Sequence, residues 1–118
     1  MSENMDLLLN AYNLGWKMSL KIDMSEFGNI LMSYPDGRGV FEYIRLNYLP
    51  NFNQGKIILD FRKVQVISSS FLSVVVDPLR KMYGLERLEF VDDGANVLLR
   101  SSLKVIDEDF LFCYKRCP

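Results

Sequence analysis

Lys56-Ile57-Ile58-Leu59-Asp60-Phe61, Arg62-Lys63-Val64-Gln65-Val66-Ile67 and Ser68-Ser69-Ser70-Phe71-Leu72-Ser73-Val74-Val75-Val76 follow one another without a break, and their reading decides the fold. Ile57, Ile58 and Leu59 run with no polar interruption, as in a strand covered on both faces within a layered α/β structure. A short connection leads to three consecutive serines, and an apolar helix follows, closing on Asp77-Pro78-Leu79-Arg80-Lys81-Met82. Ser68 and Ser69 suit an N-cap, because a hydroxyl can accept from the amides left unpaired in a first helical turn. Those amides and the positive end of the helix dipole also favour an anion there.

Asp60-Phe61, Val64, Ile67 and Ser68-Ser69-Ser70-Phe71-Leu72 resemble the signature of the STAS-like domains, small α/β modules similar to bacterial anti-sigma-factor antagonists. The resemblance is closest to an uncharacterised Ser-Ser-Phe branch, and the order of elements extends it from Met18 to Ile106. It implies a single-domain α/β fold, a mixed β-sheet of about four to five strands with helices packed against it. It also implies that Ser69 falls on the serine that a partner kinase phosphorylates in the antagonists. Ser70 follows it, Ser68 stands where the antagonists carry aspartate, and Phe71 stands where they carry glycine. Together with the serine cap, the resemblance favours a helix over a strand at residues 70–76, although three valines in a row are poor helix formers. Pro78 inside that helix removes a hydrogen bond to the Val74 carbonyl and predicts a kink.

Working outward, the 118 residues suffice for one domain with one core. We divide them into an N-terminal helix or extension over 1–15 and the STAS-like domain over 16–118. Apolar residues at 49% and charges at 25% describe a globular protein, and a net charge of −1 gives no electrostatic case for nucleic acid. No apolar run approaches the roughly 20 residues that span a bilayer. Glu3 and Asp6 stand where a secretory signal would be basic, so a cytoplasmic location is expected. Histidine is absent, which removes the commonest general base and the usual zinc partner of cysteine. Cys113 and Cys117 alone cannot close a four-ligand metal site and are read as reduced thiols.

Before the central stretch, Met5, Leu8, Leu9 and Tyr12 make a helix-like stripe. Trp16, Met18, Leu20 and Ile22 alternate with Lys17, Ser19, Lys21 and Asp23, which predicts a strand with one face buried. Met24 to Gly28 reads as a link turned by Gly28, Asn29 to Tyr34 as a short strand, and Pro35-Asp36-Gly37-Arg38-Gly39 as a turn. That turn lacks the third glycine of a dinucleotide fingerprint and the ending of a P-loop. Val40, Phe41, Ile44 and Tyr48 then mark one side of a helix that stops before Pro50. After the valine-rich helix, Leu85 to Val91 predicts a strand, and Asp92-Asp93-Gly94 a cap for a helix from about Ala95 whose core side carries Val97, Leu98 and Leu103. The tail from Val105 to Pro118 fits either a strand or a helix.

Serines without a histidine have no ordinary base, and Asp60 alone does not make one, so we expect no catalytic residues and no enzyme. The expected function is a regulatory protein–protein interaction module, switched by phosphorylation at Ser69, Ser70 or Ser68, with a kinase-type or anti-sigma-like regulator as partner. Asp60, Phe71, Arg62 and Lys63 are the expected supporting residues, and no cofactor, metal or membrane is implied. Two alternatives remain open: a nucleotide or anion held at the serine helix start with Arg62, Lys63 or Arg38, and an adaptor without a switch.

Overall fold

Strands β1 (Leu20–Asp23), β3 (Ile57–Asp60), β5 (Leu88–Asp92) and β6 (Tyr114–Arg116) form one sheet in the order β1-β3-β5-β6 in the computed structural model, which describes residues 19–94 and 97–117. A two-stranded ribbon of β2 (Ile30–Leu31) and β4 (Val66–Ile67) stands beside it. Every pairing is parallel. The α/β STAS-like architecture expected from the sequence is therefore present, and the strand directions are the correction, since a mixed sheet was anticipated. Parallel neighbours need long crossovers. Helices α1 (Tyr34–Asn47), α2 (Ser69–Tyr83) and α3 (Val97–Ile106) lie in those connections.

Register shows which side the helices cover. Ile22, Leu59 and Phe90 are aligned across the sheet, as are Leu20, Ile57 and Leu88. These side chains join Val40 and Ile44 of α1, Phe71, Leu72, Val75, Val76 and Leu79 of α2, and Leu99 and Leu103 of α3 in one apolar cluster. The next row, Lys21, Ile58 and Glu89, points the other way. Lys21 is exposed, Ile58 and Glu89 are half-buried, and Lys115 holds the Glu89 carboxylate at 2.7 Å. Ile58 is thus not sealed on both faces as the apolar run suggested; its neighbours are long charged chains whose stems cover it in part.

Pro35-Asp36-Gly37-Arg38-Gly39, expected as a turn, is the opening of α1. Ser33 is its N-cap, with extended backbone and a hydroxyl that accepts from Asp36 N–H at 3.1 Å. Proline is tolerated in a first turn and aspartate is favoured there by the dipole, so these residues fit a helix start as well as a turn. Gly37 has a packing role: a Cβ there would lie 2.3 Å from Val74 Cγ2 and 2.6 Å from the Phe71 carbonyl. Gly39 would meet nothing within 4 Å.

The strand expected over Trp16 to Asp23 is seen from Leu20, with Ile22 buried and Lys21 exposed as the alternation required. Trp16 and Met18, and the stripe at Met5 to Leu14, lie outside the described residues. Gly28 turns the chain at φ 130° after a 3-10 turn over Met24–Phe27. In α3 Leu103 is buried as expected, but Leu99 rather than Leu98 faces the core, and Leu98 is 42% exposed. Asp92-Asp93-Gly94 was expected to cap this helix, whose expected start at Ala95 lies outside the described residues. Asp92 itself is fully buried, accepting from Asp93 N–H at 2.7 Å and from the Tyr114 hydroxyl at 3.1 Å. The undecided tail contains both forms, a 3-10 segment over Glu108–Cys113 and then β6. Both cysteines are free; burial pushes the Cys113 thiol up and makes it a poor nucleophile.

The two glycines of α1 respond oppositely to the same substitution. Gly37→Ala forces α1 away from α2 and destabilises by about 1–3 kcal/mol. Gly39→Ala removes backbone freedom at an open helical position and stabilises by about 0.5–1 kcal/mol. Urea midpoints of the two variants against the parent test both signs.

Candidate functional site

The serine turn begins where β4 hands over to α2. Asn29 C=O accepts from Gln65 and Val66 N–H, and Leu31 C=O accepts from Ser68 N–H at 2.9 Å, so the ribbon carries the chain directly into the helix. Ser68 is the N-cap: its backbone is extended (φ −110°, ψ 157°) and its hydroxyl accepts from Phe71 N–H at 3.1 Å. The same hydroxyl donates to the Met32 carbonyl, which ties the start of α2 to the end of β2. Both capabilities of the Ser68 oxygen are in use. Ser69 and Ser70 open the helix, Ser69 half-buried and Ser70 exposed, and neither hydroxyl has a hydrogen-bond partner among the described residues.

Phe71 is 0% exposed and packs in the core beside Gly37. Expected as a supporting residue of the serine site, it instead belongs to the core: the first turn of α2 faces its third residue inward, because the apolar stripe from Phe71 through Val75 to Leu79 faces the sheet.

Asp60, Arg62 and Lys63 come together, but elsewhere. They line one depression with Lys21, Asp23 and Asp93 at the C-terminal ends of β1 and β3. Asp60 is aligned with Asp23 on the neighbouring strand, two carboxylates side by side on the open face. Like charges so placed repel, and cations answer them. Arg62 grips Asp60 with Nε at 3.0 and 3.2 Å and a second nitrogen at 2.7 Å, Lys21 stands 3.7 Å away, and Lys63 stands 3.8 Å from Asp23. The Arg62 side chain holds the Asp60 carboxyl below the ordinary aspartate value, against the upward push of burial, with the Arg62 amide and Lys21 adding to it. The Ser25 hydroxyl and amide do the same for Asp23. This depression includes no serine from 68 to 70, and among the described residues Asp60 pairs with Arg62 and Lys21 only. The chain turns through Phe61 to Val64 and crosses to the ribbon before the serines, which separates the two groups. Arg38, the third cation read beside the serines, lines a groove between α1 and α2 with Asp77 and Lys81.

Sequence reading passed over a third feature. Glu26, Phe27, Ile30 and Tyr43 gather around a cleft beside β2. Ile30-Leu31-Met32 carried the signal, an apolar run in which Leu31 alone is buried.

A parallel sheet covered by helices on one face, with a serine cap opening its second long helix, defines a small α/β module of the STAS type. The family described as the STAS-like domain of unknown function (DUF4325) matches residues 36–98, just over half of the chain, and the chain belongs to that family. No curated protein matches it, and no solved structure does. Among the described residues no helix is long and apolar enough to cross a membrane.

Ser68→Ala removes both hydrogen bonds of the cap and costs about 1–2 kcal/mol, while Ser69→Ala stays within about 0.5 kcal/mol of the parent; thermal melts read the difference. For Asp60, a carbon-detected carboxyl titration by NMR gives a midpoint below the ordinary value of about 3.9. Its contribution to stability is complete above that value and is lost as pH falls through the lowered midpoint. Arg62→Gln moves the midpoint up, because burial then acts without its counterweight.

Proposed function

We propose that this chain is a regulatory protein–protein interaction module, working in the cytoplasm through contact rather than catalysis, whose partner-facing element is the start of α2. Ser69 is the residue whose phosphorylation switches it, with Ser70 second. The observation that carries this reading is the division of labour among the serines: Ser68 is consumed by the cap, and Ser69 and Ser70 offer unbonded hydroxyls on the first turn. Membership of the STAS-like family supports a general interaction or regulatory role. The likeness of this segment to the anti-sigma-factor antagonists extends it to a kinase-type or anti-sigma-like regulator as partner. The ion pairs that occupy Asp60, and the absence of histidine, support contact over chemistry.

A phosphate on Ser69 adds close to two negative charges at the positive end of α2, where the fold tolerates them. Its effect falls on the partner, which loses affinity through repulsion and desolvation at that end of the helix. Recovery of a partner from the native host by wild type, Ser69→Ala and Ser69→Asp tests the switch. We expect the same partner with the first two and at least a tenfold loss with Ser69→Asp at unchanged melting temperature. Equal recovery by all three removes phosphorylation from the account.

A further inference from the structure

Beside the serine turn, the 3-10 segment Met24–Phe27, strand β2 and the first half of α1 enclose an open cleft of about 490 Å³. Phe27, Ile30, Val40 and Tyr43 line it, joined by Phe71 from α2. Ile30 is 64% exposed and Tyr43 49%, and Met32 and Tyr34 continue the exposed apolar surface along the chain. These are large apolar side chains left exposed next to one another, as at surfaces that meet a partner.

The electrostatics of the cleft say what enters it. Its charged lining residues, Glu26 and Asp36, are both acidic, both exposed, and neither has an ion-pair partner among the described residues. On the sheet face turned away from the helices, Asp23 and Asp60 are matched by lysine or arginine. In the cleft no described lysine or arginine pairs with Glu26 or Asp36, so its field is negative. The Tyr48 hydroxyl donates to Glu26 Oε1 at 2.5 Å and keeps that carboxylate in place. Tyr43 stands edge-on between Phe27 (centroids 5.6 Å apart) and Tyr48 (6.1 Å), so its ring is fixed as well. A held aromatic ring beside a held carboxylate suits a cation on an apolar stem.

We propose that this cleft docks a segment of a partner protein in which apolar side chains flank a lysine or arginine. The proposal rests on the interaction-module reading and supplies the chemistry of the partner; it does not depend on the serine switch. A protein segment is the occupant because Met32 and Tyr34 carry the apolar surface beyond the cleft, and among the described residues β2 has a strand neighbour on one side only.

The test uses the full chain and a library of random dodecapeptides displayed on phage, followed by fluorescence anisotropy with a synthetic peptide of the selected consensus. The expected consensus sets Lys or Arg among Leu, Ile, Met or Phe. Its Kd rises about tenfold in Ile30→Ser, as for a central contact residue, and about threefold in Glu26→Gln, which keeps the Tyr48 bond and removes the charge. Leu98→Ser, at an exposed leucine of α3, leaves it unchanged. No enrichment, a consensus without a cation, indifference to both cleft substitutions, or self-association of the chain abolished by Ile30→Ser would each overturn the proposal. Host-partner recovery separates the two readings. A partner captured equally by wild type and Ile30→Ser sinks the cleft and leaves the module standing. Ile30-dependent peptide binding with no host partner recovered by any form does the reverse.

Discussion

At Gly37 the backbone of α1 rests against Phe71 and Val74 of α2 with no room for a methyl group. That contact fixes the half of the molecule that carries the serine turn and the cleft. It brings the capped start of α1 to the capped start of α2 and sets both against the β2–β4 ribbon. Ser68 completes the junction by bonding across to Met32. A side chain at residue 37 would separate the helices, and the serine turn and the cleft would lose their common wall. Close-packed interiors have no slack to absorb such a change.

A second constraint shapes the opposite side. α1, α2 and α3 pack on one face of the sheet, and the residues of the alternate row make up the other. Here these are Lys21, Asp23, Ile58, Asp60 and Glu89, with Lys115 at the edge. The carboxylates at the strand ends are tolerable because each has a cation within reach. The result is a self-neutralised surface, consistent with a structural role for Asp60, Arg62 and Lys63. The cleft beside β2 differs in kind, with exposed Ile30 and Tyr43 beside two carboxylates that no described cation pairs.

Much of this was legible in the chain. Ser68-Ser69-Ser70 before an apolar stripe announced an N-cap, and the helix duly runs through Pro78 to Tyr83 because packing of Leu72, Val75, Val76 and Leu79 outweighs the proline and the valines. The alternation ending at Asp23 and the strands at Ile57 and Leu88 were equally plain. Other readings failed for identifiable reasons. Pro35 to Gly39 has turn composition, yet Ser33 caps it into a helix that only contact with α2 makes worthwhile. Leu98 and Leu99 are adjacent leucines, and local pattern does not say which of two neighbours turns inward.

Residue type and spacing by themselves placed the strands at Leu20, Ile57 and Leu88 and the body of α1, and set Ser68 at a cap, which with the family resemblance favoured a helix after it. These are local matters, settled by hydroxyl caps and apolar periodicity. Tertiary structure alone decided that the sheet is parallel with α1, α2 and α3 packed on one of its faces, that Asp60 and its cations stand apart from the serines, and that Glu26 and Tyr43 share a cleft with Ile30. Those relations join residues far apart in the chain. Their energy comes from burying whole faces against one another, which no short window of sequence contains.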